Sequence, residues 1–203
     1  GLGGCLTYFF YKKVKVDPLL SGILTLTILY SINLRVGGAS NIPIAGSPSI
    51  FGNLPKWPIL LILTILIKLA IDYYLRSEAG YLLKITGNNR KLVKQLGKNP
   101  DGMIMIGLIL SNALIGLSGG LMANYQGFAD IQMGTAMIVT GLASIIIGDT
   151  IMKASDRLRD TSRAIMGAIV YRIISGLAIY LGLNPNDLKL ITALIVIAFI
   201  AYN

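Results

Sequence analysis

The sequence predicts an all-α fold, a polytopic transmembrane helix bundle, and three observations carry the prediction. Hydrophobic residues make up 54 % of the chain and charged residues 13 %, where an ordinary soluble domain carries roughly 25 % charged residues. Mean hydropathy is +0.71. The low-charge stretches are long, and a helix needs about 20 apolar residues to cross a bilayer. Their apolar runs do not alternate, which favours helices over strands for the spans.

We read about six full spans, at residues 18–34, 57–74, 103–122, 133–151, 165–182 and 188–201, with residues 1–10 the end of another. The chain begins with Gly1 in mid-helix and stops just after an apolar run, so it reads as an N-terminally truncated fragment of a longer protein. Residues 1–203 are read as a single transmembrane domain.

The formal net charge is +9, and its distribution sets orientation. Lys12, Lys13 and Lys15 precede the first full span. Arg76, Lys84, Arg90, Lys91, Lys94 and Lys98 lie between the second and third, and Lys153, Arg157, Arg159 and Arg163 between the fourth and fifth. The alternate loops hold little beyond Arg35, Lys56 and Lys189. Positive residues collect on the cytoplasmic side. Residues 76–102 and 153–163 are therefore read as cytoplasmic and residues 36–56 as extracytoplasmic. The 153–163 cluster reads as a topology signal, weighed against contact with lipid head groups or a partner. A nucleic-acid partner is not expected, since no soluble basic domain exists to hold one.

Cys5 is the only cysteine and there is no histidine. This excludes an internal disulfide, thiolate–imidazole catalysis, histidine proton relays and the common zinc sites. No catalytic residue, metal site or cofactor is expected.

Along the chain, Asp17-Pro18 makes a good N-cap and first-turn pair for the first full span. That helix carries Ser21, Thr25, Thr27, Tyr30, Ser31 and Asn33, whose polar groups either bond neighbouring backbone and helices or line a polar pathway. Residues 36–56 are rich in Gly, Pro, Ser and Asn and read as an external loop on which a partner rests. Lys68 and Asp72 are four apart and can pair on one helix.

Residues 82–101 are distinctive. Gly87 and Gly97 flank NNRKLVKQL, which reads as a short amphipathic helix. Leu92, Val93 and Leu96 can share its apolar face, with Arg90, Lys91, Lys94 and Gln95 on the other. At the cytosolic mouth of a membrane protein such a helix is a docking element.

In the next span Gly116 and Gly120 form GxxxG, a motif for close helix approach. Asp149 and Arg172 are ionisable groups within or near spans, and such groups are functional candidates. Arg172 calls for a partner, Asp149 or a carbonyl at a broken helix end, in either a tethering or a pathway role. Thr27, Asn33, Asn112, Thr140, Asp149 and Arg172 are the pathway candidates.

The segment GYLLKITGNNRKLVKQLGKNPDGMIMIGLILSNALIGLSGGLMANYQGFADIQMG resembles the permease subunits of bacterial ABC importers, most closely the branched-chain amino acid and ribose type within the vitamin-B12-importer-like architecture. DPLLSGILTLTILYSINLRVGGASNI and MIVTGLASIIIGD bring it nearer to the subgroup of tryptophan/tyrosine and related small-solute uptake permeases. The likeness covers nearly the whole chain.

The resemblance implies a bacterial inner-membrane subunit that does no chemistry itself. Its cytosolic segment would enter a groove on an ABC ATPase, with Gly87, Asn88, Arg90, Leu92, Val93, Lys94, Leu96 and Gly97 making the contact. A second permease copy would share the solute pathway, and an extracytoplasmic substrate-binding protein would deliver an amino acid or similar small solute. The alternative is a secondary transporter or channel that needs no ATPase. Such a protein would want intramembrane acids or paired broken helices, and the sequence shows few. An intramembrane enzyme ranks last, for want of a clustered nucleophile and base.

Overall fold

The computed structural model describes residues 1–44, 51–52, 55–152, 159–182, 184, 187, 190, 192–194 and 197. They form two compact units, Gly1–Ile131 and Gln132–Asn203.

The N-terminal unit runs α1 (Leu2–Lys12), α2 (Pro18–Gly37), β1 (Asn41–Pro43), α3 (Lys56–Arg76), α4 (Glu78–Asn88), α5 (Arg90–Gln95), α6 (Pro100–Gln126) and β2 (Phe128–Asp130). The second unit contains α7 (Met133–Met152) and α8 (Asp160–Tyr180).

Helix boundaries follow local chemistry. The Asp17 carboxylate accepts the Leu19 N–H at 2.9 Å, capping α2 as the Asp-Pro pair predicts. At the other end Gly38, at φ 71°, turns the chain through the left-handed region that glycine enters without a steric penalty. The Asn99 side chain accepts from the N–H groups of Asp101 and Gly102 to start α6, which ends at Gly127 with φ 82°. With 27 residues, α6 is about 40 Å long at 1.5 Å per residue. It exceeds a hydrocarbon core of about 30 Å, which leaves length for its ends to reach the head-group region.

Four helices are long and apolar enough to span a bilayer: Pro18–Gly37, Lys56–Arg76, Pro100–Gln126 and Asp160–Tyr180. That is four among the described residues, where the sequence leads one to expect six. The 133–151 span is present as the 20-residue α7, and Thr140–Met152 is its apolar stretch among the described residues. The expected 188–201 span falls largely outside the described residues, as do Lys153, Arg157 and Lys189.

The surface is the reverse of a water-soluble protein's. On α3, Leu61, Ile62, Leu66 and Leu69 are 50 %, 57 %, 57 % and 53 % exposed. An apolar face of this extent is stable against lipid tails, where leaving it bare in water would be costly. Some polar groups turn inward instead. The Thr7 hydroxyl donates to that of Thr25 at 2.9 Å, and Thr25 donates to the Ser21 carbonyl at 2.8 Å. This joins α1 to α2. Ser21 is fully buried and Thr25 nearly so, and a helix–helix hydrogen bond in the membrane contributes about 0.6 kcal/mol.

Close packing in the N-terminal unit is made by glycines other than the GxxxG pair. A Cβ on Gly4 would run into the Leu108 carbonyl and the Ile109 Cα of α6, and one on Gly3 would reach the Asn112 side chain at 2.9 Å. A Cβ on Gly80 would meet the backbone of Tyr74 and Leu75, so this glycine permits the sharp turn from α3 into α4. Gly116 and Gly120 meet nothing of this unit within 4 Å. The reason is geometric: α1 crosses α6 near Leu108, two or more turns before that motif.

Among the described residues no strand lies within a span, but a short ribbon lies between spans. Asn41, Ile42 and Pro43 pair antiparallel with Asp130, Ala129 and Phe128. This ties the loop after α2 to the end of α6. On the same side the Lys56 ammonium donates to the Tyr125 carbonyl at 3.1 Å and sits 5.8 Å from its ring centre.

In the second unit α7 and α8 cross at Gly148 and Gly167. A Cβ on Gly167 would overlap the Ser144 carbonyl, and one on Gly148 would overlap that of Arg163. Ala143, Ile147 and Tyr171 form its core, with Val170 packed against them. The Tyr171 and Thr192 hydroxyls hydrogen-bond at 2.7 Å.

Candidate functional site

The segment from Ser77 to Lys98 forms a capped ledge. Ser77 caps α4 by accepting the Gly80 N–H at 3.3 Å. Asn89 ends α4 and caps α5, its side-chain oxygen accepting the Leu92 N–H at 3.1 Å. At the far end Gly97 sits at φ 70°. Its N–H bonds the Lys94 carbonyl at 3.1 Å, and the Lys98 N–H bonds that of Val93 at 3.2 Å. These two bonds make a Schellman motif, which satisfies carbonyls the helix end would leave open.

Two expectations about this segment need correction. Gly87 and Asn88 do not lead into the short helix; they are the last two residues of α4. The helix signal of 78–86 extends through Gly87 at the cost of about 1 kcal/mol relative to alanine, and the break falls at Asn89 because its side chain caps α5. Nor do Leu92 and Val93 of α5 and its C-cap residue Leu96 share one face. Val93 is fully buried in the unit, while Leu92 and Leu96 are 40 % and 56 % exposed. Residues four apart on a helix align, and adjacent ones diverge by about 100°. Val93 is thus the anchor, and Leu92 with Leu96 is an apolar pair facing outward. Lys94 is exposed beside them.

Three contacts brace the ledge. The Arg90 guanidinium carbon lies 5.3 Å from the Tyr11 ring centre, within cation–π range. The Lys98 ammonium meets the Glu78 carboxylate at 3.2 Å. Lys12, at the end of α1, pairs with Asp101 in the first turn of α6. The hydrogen bond to Asp101, and then its charge, holds the Lys12 ammonium above its ordinary value of 10.5. Sequence reasoning missed Tyr11, Lys12, Glu78 and Asp101. The only sequence signal was charge: two acids and a run of bases close to one expected membrane face.

The pathway candidates fall three in each unit. Thr27 is exposed on α2, its hydroxyl within bonding distance of the Ile23 and Leu24 carbonyls, 3.1 and 2.9 Å away. Asn33 is exposed on the same helix. Asn112 is half-buried on α6, donates to the Leu108 carbonyl at 2.9 Å and lies beside Gly3. Thr140, on α7, bonds the Met137 carbonyl at 3.1 Å.

Asp149 and Arg172 are both exposed on the second unit, and no ion pair joins them among the described residues. The register explains this. Gly148 packs against Arg163 and Gly167, which leaves Arg172 about 7 Å further along α8 at 1.5 Å per residue. Lys68 and Asp72 do pair, at 2.8 Å, with Asp72 only 3 % exposed.

Spanning helices with apolar exteriors, inward hydroxyls and a capped basic ledge define an integral membrane protein of the polytopic helical class. The chain belongs to the branched-chain amino acid transport system / permease component family, whose model matches residues 1–201. It is similar to the tyrosine transport system permease protein of Clostridioides difficile (strain R20291), with 42 % identity over 199 residues, covering 98 % of this chain and 68 % of the relative. It is also similar to an uncharacterized protein of Rickettsia prowazekii (strain Madrid E), with 32 % identity over 203 residues, covering 96 % of this chain and 72 % of the relative. No solved structure matches. Membership of this family makes the chain a transport permease component.

Proposed function

We propose that the chain is the membrane-spanning subunit of an ATP-driven ABC importer and that α5 docks it onto the ATPase. One observation carries this reading: Leu92 on α5 and Leu96 at its C-cap stand exposed, on a short helix whose two ends are capped and whose other apolar residue, Val93, is fully buried. A six-residue helix would fray in isolation. Capping and anchoring it while leaving two leucines outside suits a preformed plug for a groove on another protein. Arg90 and Lys94 would meet acids at the groove's rim, and Gly97 keeps the helix from running on.

In this reading residues 76–102 and 153–163 are cytoplasmic, in a bacterial inner membrane. Residues 36–56, with the β1–β2 ribbon, receive an extracytoplasmic substrate-binding protein. A second copy completes the solute pathway, and ATP binding drives the switch by favouring one state of the bundle. The subunit itself carries no catalytic group; hydrolysis resides in the partner. The solute is an amino acid or similar small molecule, and the name of the Clostridioides relative makes tyrosine the first to test.

The experiment is tyrosine uptake into proteoliposomes holding the full-length parent, its ATPase and its binding protein. ATP-dependent uptake that vanishes when the ATPase's catalytic glutamate is replaced by glutamine supports an importer. Uptake that survives the replacement contradicts it and favours a secondary transporter.

A further inference from the structure

α1 touches α2, α5 and α6. Its lower end carries Tyr11, against Arg90 of α5, and Lys12, paired with Asp101 of α6. These contacts fall on either side of the 96–99 connection, so the end of α1 brackets it. Higher up, Gly3 and Gly4 lie against α6 at Asn112, Leu108 and Ile109, with no room for a side chain at Gly4. One turn from there, the Thr7 hydroxyl bonds that of Thr25 in α2. Both threonines are buried. α5 itself is only six residues long and packs chiefly on its chain neighbours α4 and α6.

We propose that Tyr11 and Lys12 are positioning residues which carry displacement of α5 into α1 and, through the Thr7–Thr25 bond, into the spanning helix α2. The proposal rests on the reading of α5 as the ATPase-docking element. A push on α5 moves Arg90, the guanidinium drags the Tyr11 ring, and the Lys12–Asp101 pair keeps the start of α6 in step. α1 then shifts as a unit, because Gly4 locks it to the α6 backbone. Nothing in this chain of contacts depends on which solute is carried. Contiguity alone does not establish coupling, so the test must read motion at a distance from the contact.

Cys5 supplies the reporter. It is a free, half-buried thiol on α1, between the Gly4 contact and Thr7. The experiment uses the full-length parent copurified with its ATPase, treated with N-ethylmaleimide, with and without ATP and orthovanadate. Modification is read by mass spectrometry of the Cys5 peptide.

In the unaltered complex the rate at Cys5 should change on adding ATP and orthovanadate. In Tyr11→Ala the ATPase should still copurify and hydrolyse ATP, while the change at Cys5 is lost. Tyr11→Phe should restore it, since the ring is kept. Lys12→Asp should weaken the response, and Lys12→Asp with Asp101→Lys should recover it.

A full Cys5 response in assembled Tyr11→Ala would overturn the proposal. So would failure of Tyr11→Ala to assemble, since Tyr11 would then serve structure alone. Failure of the ATPase to copurify with the unaltered parent is a different result: it removes the docking reading, and this inference with it.

Discussion

Gly4 of α1 stands against the Leu108 carbonyl of α6, so near that a methyl group at Gly4 would overlap backbone. The contact sets how α1 lies on the longest helix of the N-terminal unit, and with it where Tyr11 and Lys12 end up. Because the neighbour is backbone, it cannot swing aside as a side-chain tip would.

Gly4→Val should therefore destabilise the N-terminal unit by about 1–3 kcal/mol, the usual range for overpacking. The check is thermal unfolding in detergent. Gly87→Ala is the control, since nothing lies within 4 Å of that position. It should leave the midpoint unchanged or raise it, because alanine is the better helix former.

The Schellman end of α5 makes a sharper local prediction. Gly97 holds φ 70°, where an alanine costs roughly 1–2 kcal/mol. Gly97→Ala should weaken the Lys98 N–H to Val93 bond, and hydrogen exchange of the Lys98 amide should quicken while α2 and α3 stay protected.

Asp72 is buried with Lys68 as its ion-pair partner. Asp72→Ala should cost about 1–3 kcal/mol, because the lysine loses a charged partner in a poorly hydrated place. Replacing both residues with leucine should recover much of that loss, as apolar replacements of buried pairs commonly do. Unfolding of the single variant and the double variant decides this.

The Lys12–Asp101 pair has a definite pH signature. The folded pKa of Lys12 is raised above 10.5 by the hydrogen bond to Asp101. A raised pKa stabilises the fold fully below the unfolded value and loses that contribution as pH climbs through the folded one. The stability difference between the unaltered protein and Lys12→Ala should thus be flat through neutral and mildly alkaline pH and shrink only above 10.5. Lys12 is exposed, so the difference will be small and sensitive to salt. A titration of melting temperature in low-salt buffer tests it.

Legibility in the sequence varies by element. α2, α3, α6 and α8 announce themselves by long apolar runs of low charge, and Asp17-Pro18 fixes the first residue of α2. The Lys68–Asp72 pair follows from a spacing of four on a helix. The α4–α5 boundary is harder to place, because Gly87 looks like a bracket whereas the deciding atom is a side-chain oxygen of Asn89. The burial of Val93 alone cannot be read, since α5 needs α4 and α6 packed around it before one face becomes inner. Gly116 and Gly120 carry a motif, but Gly4, Gly80, Gly148 and Gly167 carry the contacts. A glycine's use depends on which helix crosses it, and no local pattern encodes that. Tyr11 and Arg90, like Lys12 and Asp101, lie far apart along the chain, beyond the reach of any periodicity.

The central claim is that Leu92 and Leu96 present α5 to an ATPase. The most direct test is copurification of the tagged full-length parent with the proposed ATPase partner, comparing the unaltered protein with Leu92→Asp/Leu96→Asp. Both side chains are exposed, so the double change should leave folding and membrane insertion intact. Docking through α5 predicts stoichiometric ATPase with the unaltered protein and none with the double variant. Equal recovery from both would contradict it and reduce the ledge to a feature of the surface.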